Sequence, residues 1–287
     1  MVRGKLRAGF FYSALVSSLA YACLYINGAK DYDVKCVQNN KGYCNRNVDG
    51  EFVQEFADGI NALSAAYKKD GIVGGRTGNI VSLDVFVSDT VKFFFDDAKN
   101  PSDNYAWVHQ TVDCLDGLKK FSEFGGIEFK VNKFVGVFEK FFVGKQETSS
   151  EFVDALQARV RLEQVSPVVV YLRAGDLKLK TDGPLASRVI GHSDYPSSLT
   201  LVNLNNSKYV NQLVMAHEMA HIFGASHTTN RTVAFMKIRC FSAPFLGYVG
   251  SGDIMEPIVN DLSPQSFWAQ ETIEEVRANK YRFIGRK

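Results

Sequence analysis

A chain of 287 residues can form one large domain or two modest ones, and a hydrophobic fraction of 46% is ample for a buried core. The formal net charge is only +2, which argues against nucleic acid as a main partner. Neither an internal repeat nor a low-complexity tract is visible in the sequence.

The first residues have the pattern of a targeting segment. A basic start is followed by a largely apolar, uncharged run at residues 8–26. Residues 1–29 are therefore predicted to be a secretory signal peptide, cleaved near residue 22 or near residue 29. An uncleaved signal-anchor is the alternative, because the run approaches the length of a membrane span. With cleavage, we expect a secreted protein that is not attached to a membrane.

The cysteines agree with an oxidising compartment. Cys23 lies in the predicted signal segment, which leaves Cys36, Cys44, Cys114 and Cys240. An even set in a secreted chain predicts two disulfide bonds. The local pair is Cys36 with Cys44, which would leave Cys114 to bond with Cys240.

Residues 30–78 are predicted to be a leader ahead of the main domain. Residues 51–69 place Phe52, Phe56 and Ile60 at helical spacing. The glycine-rich stretch 71–78 then predicts a linker without regular structure. The main domain is expected to cover residues 79–287.

Strand and helix patterns alternate from residue 79 onwards. Strands are predicted at residues 80–87, 127–138, 168–172 and 199–204, and helices are predicted to begin near Pro101, Ser150, Ser207 and Ser263. The unbroken apolar run at 168–172 is typical of a central strand that is covered on both faces. This order predicts an α/β domain in which the long helix after Ser207 packs against a twisted mixed sheet.

The segment from His217 to His227 reads His-Glu-x-x-His-x-x-Gly-x-x-His. Residues four apart lie on one face of a helix, so His217 and His221 can present their imidazoles to one point. Gly224 can adopt the left-handed conformation that ends a helix, which lets His227 return as a third nitrogen ligand. Three protein ligands and one open position are typical of catalytic zinc. We therefore predict a site for one catalytic Zn²⁺ ion.

Glu218 follows the first predicted ligand, so its carboxylate is expected beside the metal rather than on it. That is the place for a general base that activates a zinc-bound water. The motif therefore predicts a zinc hydrolase. The same three histidines would also accept Co²⁺ or Mn²⁺, which is one alternative.

This motif resembles that of the metzincin zinc endopeptidases, and residues 255–258 are most similar to the reprolysin or ADAM-type branch. The resemblance covers residues 79–287. It implies an α/β catalytic domain (α+β, zincin-like) with a twisted mixed sheet over the zinc-binding active-site helix and a small C-terminal lower subdomain. It also implies that residues 188–192 form an edge strand, where an extended peptide substrate could pair.

The resemblance further predicts a tight turn that carries a methionine beneath the metal. Residues 252–257 fit this turn, with Met255 as that methionine. Pro257 and Ile258 are then expected to line the pocket for a substrate side chain.

The implied function is a secreted, monomeric zinc metalloendopeptidase that hydrolyses internal peptide bonds of protein or peptide substrates. The alternative from another functional class is a secreted effector that binds a target without cutting it. Residues 30–78 could be a removable propeptide, although a short one for this family. A Cys36 or Cys44 thiolate could then occupy the open metal position, and a disulfide bond is the other explanation for that pair.

Overall fold

The computed structural model describes residues 50–70, 72–73, 79–96, 105–124, 127–144, 149–175, 191–193, 198–227, 254–255 and 268–283. The helices are α1 (Gly50–Asp70), α2 (Asp89–Asp96), α3 (Ala106–Leu115), α4 (Glu139–Phe142), α5 (Ser149–Glu163), α6 (Lys208–Ile222) and α7 (Gln270–Asn279), with 3₁₀ helices at Asp116–Phe124 and Lys280–Arg282. The strands are β1 (Ile72–Val73), β2 (Asn79–Ser88), β3 (Ile127–Val137), β4 (Val168–Ala174), β5 (Gly191–Ser193) and β6 (Leu199–Leu204). Within these ranges, no helix is both long enough and apolar enough to cross a membrane. The predicted signal peptide, residues 1–29, lies outside them.

The strands form one mixed sheet in the order β1-β3-β2-β4-β6-β5. The inner strands β3, β2, β4 and β6 run parallel to one another, and β1 and β5 pair antiparallel at the two edges. Parallel neighbours need crossover connections, which helices α2, α3, α4 and α5 supply between β2, β3 and β4. The prediction of a mixed α/β sheet is confirmed.

Strand β4 is central, as its unbroken apolar sequence predicts. Every residue of Val168–Ala174 is buried, and the strand pairs with β2 on one side and β6 on the other. Val170 faces the core that includes α1, α3 and α6, whereas Tyr171 faces a second core beneath α5. Because both faces of the strand are covered, neither set of alternate residues in β4 faces solvent, and the sequence needs no alternating polar residues.

Helix α6 packs against β6, β5, α3 and the first 3₁₀ helix. The contact with the 3₁₀ helix is a backbone contact, because a Cβ atom at Gly117 would lie 2.1 Å from the carbonyl oxygen of Gln212. Only glycine fits at that position, and its absence of a side chain lets α6 lie close to the rest of the core. This packing fixes the helix that carries the predicted ligands.

Helix α1 belongs to the same core as the sheet. Phe52, Val53, Phe56 and Leu63 are buried in it. A Cβ atom on Gly59 would lie 2.0 Å from the indole ring of Trp107 in α3, so the two helices are in direct contact. The predicted leader therefore contains a helix that shares the core of the main domain.

An ion pair that is largely buried also ties α1 to the sheet domain. The Nζ atom of Lys92 in α2 lies 2.7 Å from a carboxylate oxygen of Glu55 in α1, and it also contacts Asp96. Lys92 is 1% exposed and lies over the ring of Phe52 at 5.0 Å from its centroid. Removing Glu55 would leave the buried charge of Lys92 without its full complement of contacts.

Several predicted boundaries differ from the structure. The stretch predicted as a linker, residues 71–78, contains β1, whose residues pair with Phe129 and Lys130 of β3. The helix predicted from Pro101 begins at Ala106. The last helix begins at Gln270, later than predicted. Helix α2 had no predicted counterpart, since its sequence follows β2 without a turn signal.

The disulfide predicted between Cys114 and Cys240 is not supported, because Cys114 is a free, fully buried thiol. Its Sγ atom donates to the backbone carbonyl of Asn211 at 3.6 Å, and burial raises the pKa of the thiol. The side chain therefore acts as a small core residue between α3 and α6. Cys36, Cys44 and Cys240 lie outside the described residues.

One buried carboxylate joins β2 to the segment before β4. Asp84 accepts hydrogen bonds from the backbone N–H groups of Val165 and Ser166 at 2.6 and 3.0 Å and from the Ser166 hydroxyl at 2.7 Å. The amide of Asn132, at an irregularity in the pairing of β2 with β3, donates to it at 3.0 Å. Burial alone would raise the pKa of Asp84, but these hydrogen bonds outweigh it and lower the pKa.

Candidate metal centre

The start of helix α6 is fixed by side chains of its own sequence. The Ser207 hydroxyl accepts a hydrogen bond from the Val210 N–H at 3.3 Å and so caps the helix, which confirms the predicted helix start near Ser207. The Asn211 side chain donates to the Asn205 carbonyl at 2.8 Å and accepts from the Asn205 N–H at 2.9 Å. The helix is thus held firmly against the end of β6.

The turn after helix α6 directs the chain back toward the helix face that carries His217 and His221. Gly224 has a φ of 85°, in the left-handed region that favours glycine. Its N–H donates to the carbonyl of His221 at 2.8 Å, and the next N–H, of Ala225, donates to the carbonyl of Ala220 at 3.1 Å. This left-handed turn at the end of the helix brings His227 back beside His217 and His221.

The three predicted ligands converge. The Nε2 atom of His217 lies 3.1 Å from that of His221 and 3.1 Å from that of His227, and the Nε2 atoms of His221 and His227 are 3.0 Å apart. Together they form a group that could hold a metal ion. Tetrahedral bonds of about 2.0–2.1 Å to zinc would place these nitrogens about 3.3 Å apart. The observed triangle is slightly smaller, so the residues fit such an ion after a small outward shift.

Hydrogen bonds on the opposite ring nitrogens set the tautomers of two ligands. The Nδ1 atom of His217 lies 2.7 Å from the carbonyl oxygen of Ile254, and that of His221 lies 2.7 Å from the carbonyl oxygen of Ala225. A carbonyl only accepts, so each Nδ1 carries the proton and each Nε2 lone pair faces the centre of the triangle.

The imidazoles of His217 and His227 are held in the neutral form that binds metals. The pKa of His217 is lowered to about 3, mainly by burial and also by the neighbouring His221 and His227, whereas the hydrogen bond to the Ile254 carbonyl acts in the opposite direction. Burial also lowers the pKa of His227. Protonation would therefore not compete with metal binding near neutral pH.

Glu218 lies between α6 and the edge strand β5. Its side chain is 7% exposed, so it is nearly enclosed. A Cβ atom on Gly191 would lie 2.5 Å from its Oε1 and 2.6 Å from its Cγ. The carboxylate side chain therefore rests directly on the backbone of β5, and a side chain at position 191 would displace it.

The methionine turn lies next to the first ligand. Ile254 and Met255 are in a turn and are 1% and 0% exposed, and the Ile254 carbonyl bonds to His217. The predicted pocket residues Pro257 and Ile258 lie outside the described residues. Of the predicted edge strand, residues 188–192, the structure describes only Gly191 and His192, which form β5 together with Ser193 and pair antiparallel with β6.

Sequence reasoning missed two contributors to the site: Gly191 and the Ile254 carbonyl. Gly191 is separated from Glu218 along the chain, and a single glycine in a strand indicates a close approach without showing what approaches. The carbonyl belongs to the backbone, so no residue type marks it.

Comparisons with known proteins give distant likenesses in fold. No family model matches the sequence, and no curated protein does. Metalloproteinase-II from Bacteroides fragilis aligns with 78% of this chain and 70% of its own, with a TM-score of 0.38 and 10% identity. A solved chaperone–substrate complex aligns with 73% of this chain, with a TM-score of 0.45 and 9% identity. This chain covers only 35% of that second structure. At these TM-scores neither likeness bears on function, which must be argued from the site itself.

Proposed function

We propose that the protein is a secreted zinc-dependent metalloendopeptidase with a zincin-like catalytic domain of metzincin type. The observation that carries this proposal is the meeting of three histidine Nε2 atoms within 3.1 Å of one another. Two of those rings have their Nδ1 atoms bonded to carbonyls, and a nearly enclosed carboxylate follows the first ligand. Among the described residues no fourth ligand joins these three histidines, whereas a structural zinc site is closed by four protein ligands.

His217, His221 and His227 would hold the ion, and Zn²⁺ bound there would act as a Lewis acid that lowers the pKa of a water molecule. Glu218 takes a proton from the attacking water as its oxygen bonds to the peptide carbonyl carbon. The same carboxyl group then gives that proton to the amine nitrogen as the C–N bond breaks. Water thus supplies a hydroxyl group to one product and a proton to the other, and no covalent intermediate is required.

The edge of the sheet supports an extended peptide as substrate. Among the described strands, β5 is terminal in the sheet: it pairs with β6 along one edge, and Glu218 of α6 packs against it at Gly191. The outer edge of such a strand can pair with a peptide backbone and bring it along the site. Pro257 and Ile258 remain the proposed walls of a pocket for an apolar side chain.

The test is cleavage of a broad peptide library by the purified secreted protein, with and without a zinc chelator. We expect chelator-sensitive cleavage at internal bonds, and we expect Glu218→Gln to retain zinc while turnover falls about 10²–10⁴-fold. Wild-type turnover in that variant would refute the role of Glu218. If the wild-type protein binds zinc but cleaves nothing, including after removal of the part of the leader that precedes helix α1, the non-catalytic binding function would replace this proposal.

A further inference from the structure

We propose that Glu275 is a positioning residue for the metal centre, because its carboxylate fixes the backbone that presents His227. This inference rests on the proposed function, since it assumes that the three histidines hold a metal. The key contact is a hydrogen bond from the Ser226 N–H to Oε2 of Glu275 at 3.0 Å. Ser226 directly precedes the third ligand.

His227 needs such support more than the other two ligands do. His217 and His221 belong to α6, whose backbone is held by regular helical hydrogen bonds. His227 follows the left-handed turn at Gly224, outside any helix or strand. Outside a helix the backbone has no regular hydrogen bonds, so ordering it for metal binding costs conformational entropy. Each additional hydrogen bond to the loop lowers that cost, because it holds the ligand in place before the metal binds.

The element that carries Glu275 is itself anchored in the core. Helix α7 buries Thr272 and Val276. Just before it, Trp268 is 4% exposed, and its indole N–H donates to the Lys120 carbonyl at 3.1 Å. Glu275 is therefore a fixed acceptor on a helix that is packed in place.

The segment after α7 contacts the end of the zinc-ligand helix. A guanidinium N–H of Arg282 donates to the Ile222 carbonyl at 3.3 Å, in the last turn of α6. The ring of Phe283 packs edge-on against Phe223, with centroids 5.5 Å apart. The C-terminal segment thus contacts the turn on both sides: Arg282 and Phe283 hold the end of α6, and Glu275 holds the loop beyond it.

Three variants of the full secreted chain separate this role from general stabilisation. Glu275→Ala removes the acceptor, and Glu275→Gln keeps an acceptor oxygen without the charge. The matched control is Glu274→Ala, which changes the adjacent exposed carboxylate that bonds to Gln270 in the same helix. Zn²⁺ affinity is measured by competition with a chelator, well below the unfolding midpoint of each metal-free protein.

We expect Glu275→Ala to weaken zinc binding about 3- to 10-fold, as the loss of one hydrogen bond implies. Glu275→Gln should stay within about twofold of the wild type, as should the Glu274→Ala control. Equal affinity in Glu275→Ala and the wild type would overturn the inference and leave the proposed function intact. An equal loss in the alanine and glutamine variants would also overturn it. Failure of the wild type to bind zinc would instead remove the proposed function and the inference with it.

Discussion

At the scale of single residues, the site depends on contacts that orient a few side chains. Two carbonyls decide which nitrogen of His217 and His221 faces the centre, because a protonated Nδ1 leaves the Nε2 lone pair free to bind. The spacing of the histidines was predictable, since it follows from the helical period and one turn. The Ile254 carbonyl was not, because it comes from a distant turn of the chain.

Gly191 gives the sharpest prediction at this scale. We expect Gly191→Ala to lower the turnover number about 10- to 100-fold, because the new methyl group would overlap Glu218 and displace the base by a fraction of an ångström or more. Zinc affinity should be unchanged, since the three atoms nearest to the new methyl group belong to Glu218 and Val214, neither of which is a predicted ligand. Steady-state kinetics and a zinc titration on the same preparation measure both quantities.

Gly136→Ala is the matched control for that change. It adds the same methyl group to a strand of the same sheet, where the nearest atoms are the Ile60 and Phe56 side chains at 2.9 and 3.0 Å. Its cost should appear in the free energy of unfolding and not in the turnover number. If Gly191→Ala turns over peptide like the wild type, the close packing of Glu218 on β5 has no catalytic role.

At the scale of elements, the strands were easier to predict than what joins them. β4 was recognisable because its apolar run has no polar side. The sequence did not show that the segment before β4 is attached to β2, because an aspartate in a strand pattern is ordinarily solvent-exposed. In the structure Asp84 is fully buried and accepts several hydrogen bonds.

Asp84 therefore predicts an acid-dependent loss of stability. Its pKa in the folded protein lies below the ordinary value of 3.8, so the ionised form stabilises the fold at all pH values well above 3.8. This contribution is lost as the pH falls below 3.8 toward the folded-state pKa. We expect Asp84→Asn to lower the free energy of unfolding by about 2–4 kcal/mol at neutral pH.

Urea unfolding at a series of pH values measures this effect. The difference between wild type and Asp84→Asn should shrink as the pH is lowered from 5 toward 3. A difference that is constant over this range would show that the carboxylate charge of Asp84 does not stabilise the fold.

At the scale of the whole molecule, helix α1 shows the limit of local sequence patterns. Its amphipathic spacing predicts a buried face but does not reveal what covers it. Lysine and glutamate ordinarily lie at the surface, yet Lys92 of α2 is buried and forms an ion pair with Glu55 of α1. The even number of remaining cysteines likewise predicted a bridge for Cys114, which the structure places alone in the core.

This packing predicts how the leader can be shortened. Removal of residues 1–49, which keeps helix α1, is the reference for removal of residues 1–78. Removal of residues 1–78 should abolish cooperative unfolding, because it exposes the core partners of Phe52, Phe56 and Leu63 and leaves Lys92 without Glu55. Circular dichroism melts of both truncated chains make the comparison. A stable, active chain that begins at residue 79 would support a removable propeptide instead.

The central claim is that His217, His221 and His227 hold a catalytic ion and that Glu218 is its base. The most direct measurement titrates metal-free protein with Zn²⁺ while bound metal and peptide cleavage are recorded together. We predict that cleavage rises with zinc and saturates at one equivalent in the wild type. Glu218→Gln should bind the same equivalent with cleavage slowed about 10²–10⁴-fold, and His217→Ala should lose tight binding. Tight stoichiometric binding by His217→Ala, or cleavage by the metal-free protein, would contradict the account.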